Sequence, residues 1–220
     1  MNETEIITTT VQYLKDQFSG EGSGHDWFHI ERVWKLSKSI AQQEGNMDLF
    51  VVEMGALLHD IADHKFHDGD ETIGPRRGAE FLVQFEISPK QVEKIVQIIE
   101  EISFKGMGVP TLMSTKEGEV VQDADRLDAM GAIGIARTFA YGGSKGRSIY
   151  DPMIKPVCHT SFAAYKTSTA PTLNHFYEKL LGLKDRLNTE TAKKEGNRRH
   201  AFMESFLTEF YQDWNAVVKI

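Results

Sequence analysis

Apolar residues recur three and four apart along almost the whole chain, and a chain patterned this way must bury its apolar faces as packed helices. Ile6, Val11, Leu14 and Phe18 predict a first helix over residues 3–18. Asp26 then stands as the N-cap of a helix through Trp27, Ile30, Val33, Trp34, Leu36 and Ile40, stopped by Gly45-Asn46. Asp48 caps a third, carrying Phe50, Val51, Met54, Leu57 and Leu58. Residues 72–85 read as a fourth, and Ser88-Pro89 opens a fifth. A long sixth is predicted over 118–141, with two more at about 172–188 and 191–217. No stretch shows a convincing period of two. The expectation is an all-α, single-domain helical bundle over residues 1–220.

The chain has 220 residues, enough for one sizeable core and short for two independent ones. Its formal net charge of −7 gives no general attraction to nucleic acid or to an acidic membrane. One cysteine, Cys158, excludes an internal disulfide and suits a reducing cytoplasm. The N-terminus lacks a basic-then-apolar signal pattern, and no apolar run reaches the roughly 18 residues of a membrane span. Residues 142–171 break the pattern: they are rich in Gly, Ser, Thr and Pro and weakly periodic. They read as a lid or as a plain surface loop, with Gly142, Gly143 and Gly146 lending freedom. Trp27, Phe28, Trp34, Met47, Met54 and Met130 are read as packing residues.

The polar residues inside apolar helices carry the chemistry. His25 and His29 stand four apart at a helix start. His59-Asp60 follows directly on Leu57-Leu58, and Asp123, Asp125 and Asp128 interrupt another apolar helix. Asp125 and Asp128 share a helix face, whereas Asp123 points elsewhere. Taken singly, each has a plainer reading, as a packed histidine or an acid facing solvent; Asp128 could instead pair with the neighbours of Arg126. Taken together they are hard to explain without a positive partner. Mixed nitrogen and oxygen donors without thiolates suit Mn²⁺, Fe²⁺, Mg²⁺ or Zn²⁺ rather than a structural zinc site. One physical objection stands: adjacent helical residues point about 100° apart, so His59 and Asp60 reach one ion only if it lies between their directions.

The order His29, His59-Asp60, Asp125 resembles the H…HD…D signature of the HD-domain metal-dependent phosphohydrolases. "HDWFHIERVWKLS", "ALLHDIADHKFHDGDE", "VVQDADRLDAMGAIGIARTFAYGG", "KGRSIYDP" and "NHFYEKLLGLKDRLNT" extend the likeness to the compact bacterial members over nearly the whole chain. The resemblance implies an HD-type bundle with a central site for one or two metal ions, and His29, His59, Asp60 and Asp125 as ligands. Asp125 is preferred to Asp123 because it precedes an arginine in Ala124-Asp125-Arg126-Leu127. It further implies hydrolysis of phosphate esters or anhydrides, and the nearest group looks like Mn²⁺-dependent enzymes that convert nucleoside triphosphates to monophosphate and pyrophosphate. Mg²⁺, Fe²⁺, Ni²⁺ and Zn²⁺ are the alternative ions. The (p)ppGpp hydrolases of the superfamily carry Glu-Asp where this chain has Asp63-His64, so that substrate does not transfer.

Roles follow for the neighbouring residues. Asp63, one turn beyond the His-Asp pair, is a general base or water-orienting group. His64 is either a leaving-group acid or a surface residue. Lys65, Arg76 and Arg77, and the loop cations Lys145 and Arg147, are the candidates for holding phosphates. The expected partner is a small nucleotide or other phosphorylated substrate, with no nucleic acid, no membrane and a homodimer as the assembly considered. A phosphomonoesterase or another metal hydrolase on the same site is the alternative reaction, and a nucleotide-binding sensor the non-enzymatic one.

Overall fold

Helices begin where the capping residues stand. In the computed structural model, which describes residues 1–18, 26–62, 72–103, 109–157 and 169–216, the Asp26 side chain accepts from the His29 amide, Asp48 from those of Phe50 and Val51, and Ser88 from that of Gln91. Among the described residues all regular structure is helical: α1 (Glu3–Gln17), α2 (Trp27–Glu44), α3 (Leu49–Leu58), α4 (Ile73–Leu82), α5 (Pro89–Glu101), α6 (Lys116–Asp128), α7 (Gly131–Ser144), α8 (Asn174–Glu178), a 3₁₀ turn (Leu180–Arg186) and α9 (Glu190–Trp214). None is long and apolar enough to cross a membrane.

α3 is the axis of the bundle. Every residue from Phe50 to Leu58 is buried, as expected of a helix apolar on all sides. Its one acid, Glu53, is matched: it accepts from the Trp34 indole N–H at 2.8 Å and pairs with the Lys38 ammonium at 3.1 Å. α2 and α6 flank α3 and also touch each other, α5 covers a further side, α4 lies on α5, and α7 and α9 pack on α6. Three elements that carry candidate ligands therefore meet at the centre.

Three expectations are corrected. The long sixth helix is two, broken at Ala129–Gly131, where Gly131 adopts φ +70°. A side chain there would be strained and its Cβ would stand 3.1 Å from Arg199 Cγ. The helix expected over 172–188 is also split, at Lys179, whose φ −144° and ψ −59° leave the α region. Finally, Gly142 and Gly143 belong to α7 and not to a loose loop. Gly142 is buried, and a Cβ on it would collide with the Thr172 hydroxyl, so it serves close packing. Gly146 alone of the three has a left-handed backbone, φ +66°. Beyond α7 the described chain to residue 157 is irregular, and it is tied to the start of α8 by Thr172 N–H to Ser148 O and Leu173 N–H to Ile149 O, 2.9 and 3.0 Å. Trp27, Met54 and Met130 are core residues, but Phe28 is 61% exposed.

Candidate metal centre

Each candidate ligand is aimed by its own element. His29 lies in the first turn of α2, which the Asp26 cap fixes through the His29 amide at 2.9 Å. His59 follows the last residue of α3, and its Nδ1 bonds the Ala56 carbonyl at 2.7 Å, one of the carbonyls that a helix end leaves without an internal partner. Asp125 lies on α6. His29 is 1% exposed and His59 7%, while the Asp125 side chain is 36% exposed, so the cluster is buried on its imidazole side and reaches solvent on the other.

The donor atoms converge. His29 Nε2 and His59 Nε2 are 3.3 Å apart. Asp60 Oδ2 lies 3.4 Å from the first and 3.5 Å from the second, and Asp125 Oδ1 is 3.6 Å from His29 Nε2. One atom from each of His29, His59 and Asp125 falls within 4.8 Å of the others. Ligand atoms about 2.1 Å from one ion and at right angles to one another are roughly 3 Å apart, so these separations suit a single ion. The objection about neighbouring residues is met by where they stand. His59 and Asp60 follow the end of α3 in a turn, and the Asp60 carboxylate returns to the side of the imidazoles.

The chemistry of the donors also fits a cation. With each Nδ1 engaged on an acceptor, Asp128 for His29 and Ala56 O for His59, the neutral form of each imidazole carries its lone pair on Nε2, and both Nε2 atoms face the same point. Two carboxylate oxygens gathered beside those nitrogens favour positive charge among them, a proton on Nε2 or a cation in its place. The His29 ring reports this field. Burial opposes its charged form, yet hydrogen bonds to Asp128 and Asp60 outweigh burial and raise its pKa to about 9.

The three aspartates of α6 face different surroundings. Asp123 is fully buried and faces away from the cluster, accepting from the backbone and side chains of Asn188 and Thr189 at 2.8–2.9 Å. Asp128 is corrected: it neither faces solvent nor serves the neighbours of Arg126. It is 1% exposed, accepts from His29 Nδ1 at 2.7 Å, and binds Arg32 Nε at 2.6 Å and Arg137 Nη1 at 2.5 Å. Burial would raise its pKa, but the hydrogen bonds from His29 and Arg32 hold it well below the usual carboxylate range. The sequence pattern singles out neither Arg32 nor Arg137: Arg32 stands three past His29 and Asp128 three past Asp125, but nothing local joins the two pairs, and Arg137 lies nine residues beyond Asp128.

The remaining candidates are less gathered. Arg76 and Arg77 are exposed on α4, whose Gly74 lies close to the Ala62 carbonyl, two residues past Asp60. Lys145 Nζ and the Arg147 guanidinium stand 5.7 and 5.8 Å from the centre of the Tyr141 ring. Arg137, Tyr141 and Lys145 repeat every four residues from α7 into its C-cap, so cationic groups extend roughly 12 Å along that helix from Asp128 outward. His25, Asp63, His64, Lys65 and Cys158 lie outside the described residues.

Comparison with known proteins finds relatives over nearly the whole chain. The HD domain family profile matches residues 27–130, from the start of α2 to the end of the α6 turn. The chain is 37% identical over 214 residues to YpgQ, an uncharacterized protein of Bacillus subtilis, covering 97% of this chain and 94% of that one. The crystal structure of an HD-superfamily hydrolase from Bacillus thuringiensis matches with a TM-score of 0.77 and 43% identity, over 98% of this chain and 100% of that one. The crystal structure of Bacillus subtilis YpgQ in complex with ADP matches with a TM-score of 0.77 over 97% of both chains, at 34% identity in the structural alignment.

Proposed function

This chain belongs to the HD-domain family, whose members are metal-dependent phosphohydrolases, and from that premise we propose that it is a Mn²⁺-dependent hydrolase of a nucleotide phosphoanhydride, releasing nucleoside monophosphate and pyrophosphate from a triphosphate. The observation that carries the reading is the convergence of two imidazole Nε2 atoms and two carboxylate oxygens at a point that is buried behind and open in front. A divalent ion held there supplies Lewis acidity toward a phosphoryl oxygen and lowers the pKa of water. The nucleotide part of the reading is supported by the ADP bound to YpgQ.

The chain's own residues then divide the work. His29, His59, Asp60 and Asp125 hold the ion. Asp63, three residues past Asp60, orients the attacking water or takes its proton as attack proceeds at the α-phosphorus. His64 gives a proton to the departing pyrophosphate. Lys65, Arg76 and Arg77 neutralise phosphate charge, and Lys145 and Arg147 do so farther along the substrate. A triphosphate carries negative charge along its length, and Lys145 and Arg147 at the far end of α7 support a substrate longer than a monophosphate.

Incubating the protein and Mn²⁺ with a panel of nucleoside mono-, di- and triphosphates, followed by phosphorus NMR, tests this. Pyrophosphate appearing from a triphosphate is the expected result. Orthophosphate from monophosphates would make the protein a phosphomonoesterase instead, and tight nucleotide binding without turnover would make it a sensor.

A further inference from the structure

The two imidazoles at the centre are held by different means. His59 Nδ1 bonds a backbone carbonyl, Ala56 O, which no side-chain substitution removes. His29 Nδ1 bonds a side chain, Asp128 Oδ2, at 2.7 Å. That carboxylate is in turn gripped from two other places: by Arg32 Nε and Nη2 from α2 at 2.6 and 3.1 Å, and by Arg137 Nη1 from α7 at 2.5 Å. With a side chain only 1% exposed, Asp128 has its oxygens filled by four donor nitrogens from three residues and cannot turn toward the ion itself.

We propose that Asp128 is the positioning residue for the ion ligand His29: by accepting the Nδ1–H hydrogen bond it keeps the Nε2 lone pair directed at the centre, and Arg32 and Arg137 fix the carboxylate that does so. This rests on the reading of the cluster as a divalent-ion site and not on the choice of substrate. A ligand imidazole free to flip or to carry its proton on Nε2 would meet the cation with an N–H instead of a lone pair. A neighbouring acceptor on Nδ1 removes that state and raises the basicity of the other nitrogen. Asparagine at 128 keeps the shape but loses the negative charge, and its amide must turn a donor toward one of three groups that are themselves donors.

The test uses Mn²⁺ alone as the probe, by calorimetric titration of the wild type, Asp128→Asn and Asp123→Asn. Asp123 is an equally buried acid on the same helix that faces away from the cluster, so its variant reports the cost of disturbing α6 without disturbing His29. Wild type should bind about one ion, Asp128→Asn should bind about 10–100-fold more weakly, and Asp123→Asn should stay within about twofold of wild type whatever its loss in melting temperature. Long-range proton–nitrogen NMR correlations on Zn²⁺-loaded protein read the ring directly. The His29 proton is expected on Nδ1 in wild type, with that signal lost or in fast exchange in Asp128→Asn. Equal Mn²⁺ affinity and an unchanged ring signature in Asp128→Asn would overturn the proposal while leaving the ion site intact. Equal losses in both variants would assign Asp128 a merely structural part and would likewise overturn it. If wild type binds no ion, the ion reading falls first and this proposal with it.

Discussion

Two histidines are shifted in opposite directions in this molecule. His29 sits among Asp60, Asp125 and Asp128, and its pKa is raised to about 9 because its hydrogen bonds to Asp128 and Asp60 outweigh burial. His175, on α8, is driven the other way, to about 3, by burial first and then by the charges of Lys179 and Arg147. One end of the structure favours positive charge and the other resists it, although the chain as a whole carries −7. The first is where the proposed ion would sit, and Lys179 and Arg147 stand at the second. Net charge therefore says little about what this protein holds, because the local sign changes between the centre and the α7–α8 flank.

The anionic end is the easier to break. Asp125→Ala should leave less than a tenth of the bound Mn²⁺ and reduce turnover on the order of 10³-fold, the several kcal/mol that an ion supplies to a phosphoryl transition state. Metal content by elemental analysis and turnover under excess Mn²⁺ are the two measurements. Retention of both would remove the ion from the cluster. Asp123→Ala, two residues away, should do the reverse. It leaves the Asn188 and Thr189 donors without their carboxylate, at a cost of roughly 3 kcal/mol or about 6–12 °C in melting temperature, with Mn²⁺ affinity close to wild type. A drop in ion affinity there would mean that the two faces of α6 are not independent.

These paired acids also mark how far the sequence could be read. Helix starts were legible because caps are local: Asp26, Asp48 and Ser88 each sit within three residues of the amide they bind. That His29, His59 and Asp125 would come together was legible because the likeness to HD proteins is carried by short motifs. The break between α6 and α7 was not, since Met130, Ile133 and Ile135 carry apolar character straight across it and only the close approach of Arg199 to Gly131 shows why a glycine stands there. Gly142 misled in the same way: a glycine required by Thr172 looks, in a sequence, like one that loosens a loop. The role of Asp128 depends on donors 96 and 99 residues earlier in the chain, Arg32 and His29, which no local pattern pairs with it.

The cationic end should yield a smaller effect of another kind. Substituting Lys145 or Arg147 by Ala would take away the phosphate contacts proposed for them, which would be made about equally in the ground and transition states. Each variant is expected to raise KM for a triphosphate about 10-fold with kcat within about twofold. A fall in kcat with KM unchanged would instead bring these residues to the reacting phosphorus. No change in either would confine the binding of phosphates to the neighbourhood of the ion.

The smallest effect is in stability against pH, and it isolates the field at His175. Its folded pKa of about 3 lies below its ordinary value of 6.5, so the unfolded chain takes up a proton as pH falls through 6.5 while the folded one does not. The stability associated with this group is thus present above pH 6.5 and declines toward pH 3. Between pH 7 and 5 the loss comes to roughly 1–2 kcal/mol for a half-buried imidazole. Two other shifted groups change elsewhere. The raised pKa of His29 adds stability that is complete below 6.5 and is lost as pH rises through about 9. Glu195, held at about 2 chiefly by its hydrogen bond from Arg198, loses its contribution only below about 4.5. Melting curves in chelator should therefore fall from pH 7 to pH 5 in wild type and fall less in His175→Gln, the two lines converging as the buffer becomes more acidic. Parallel lines would mean that neither burial nor the charges of Lys179 and Arg147 depress this ring, and the contrast between the two ends would rest on the anionic one alone.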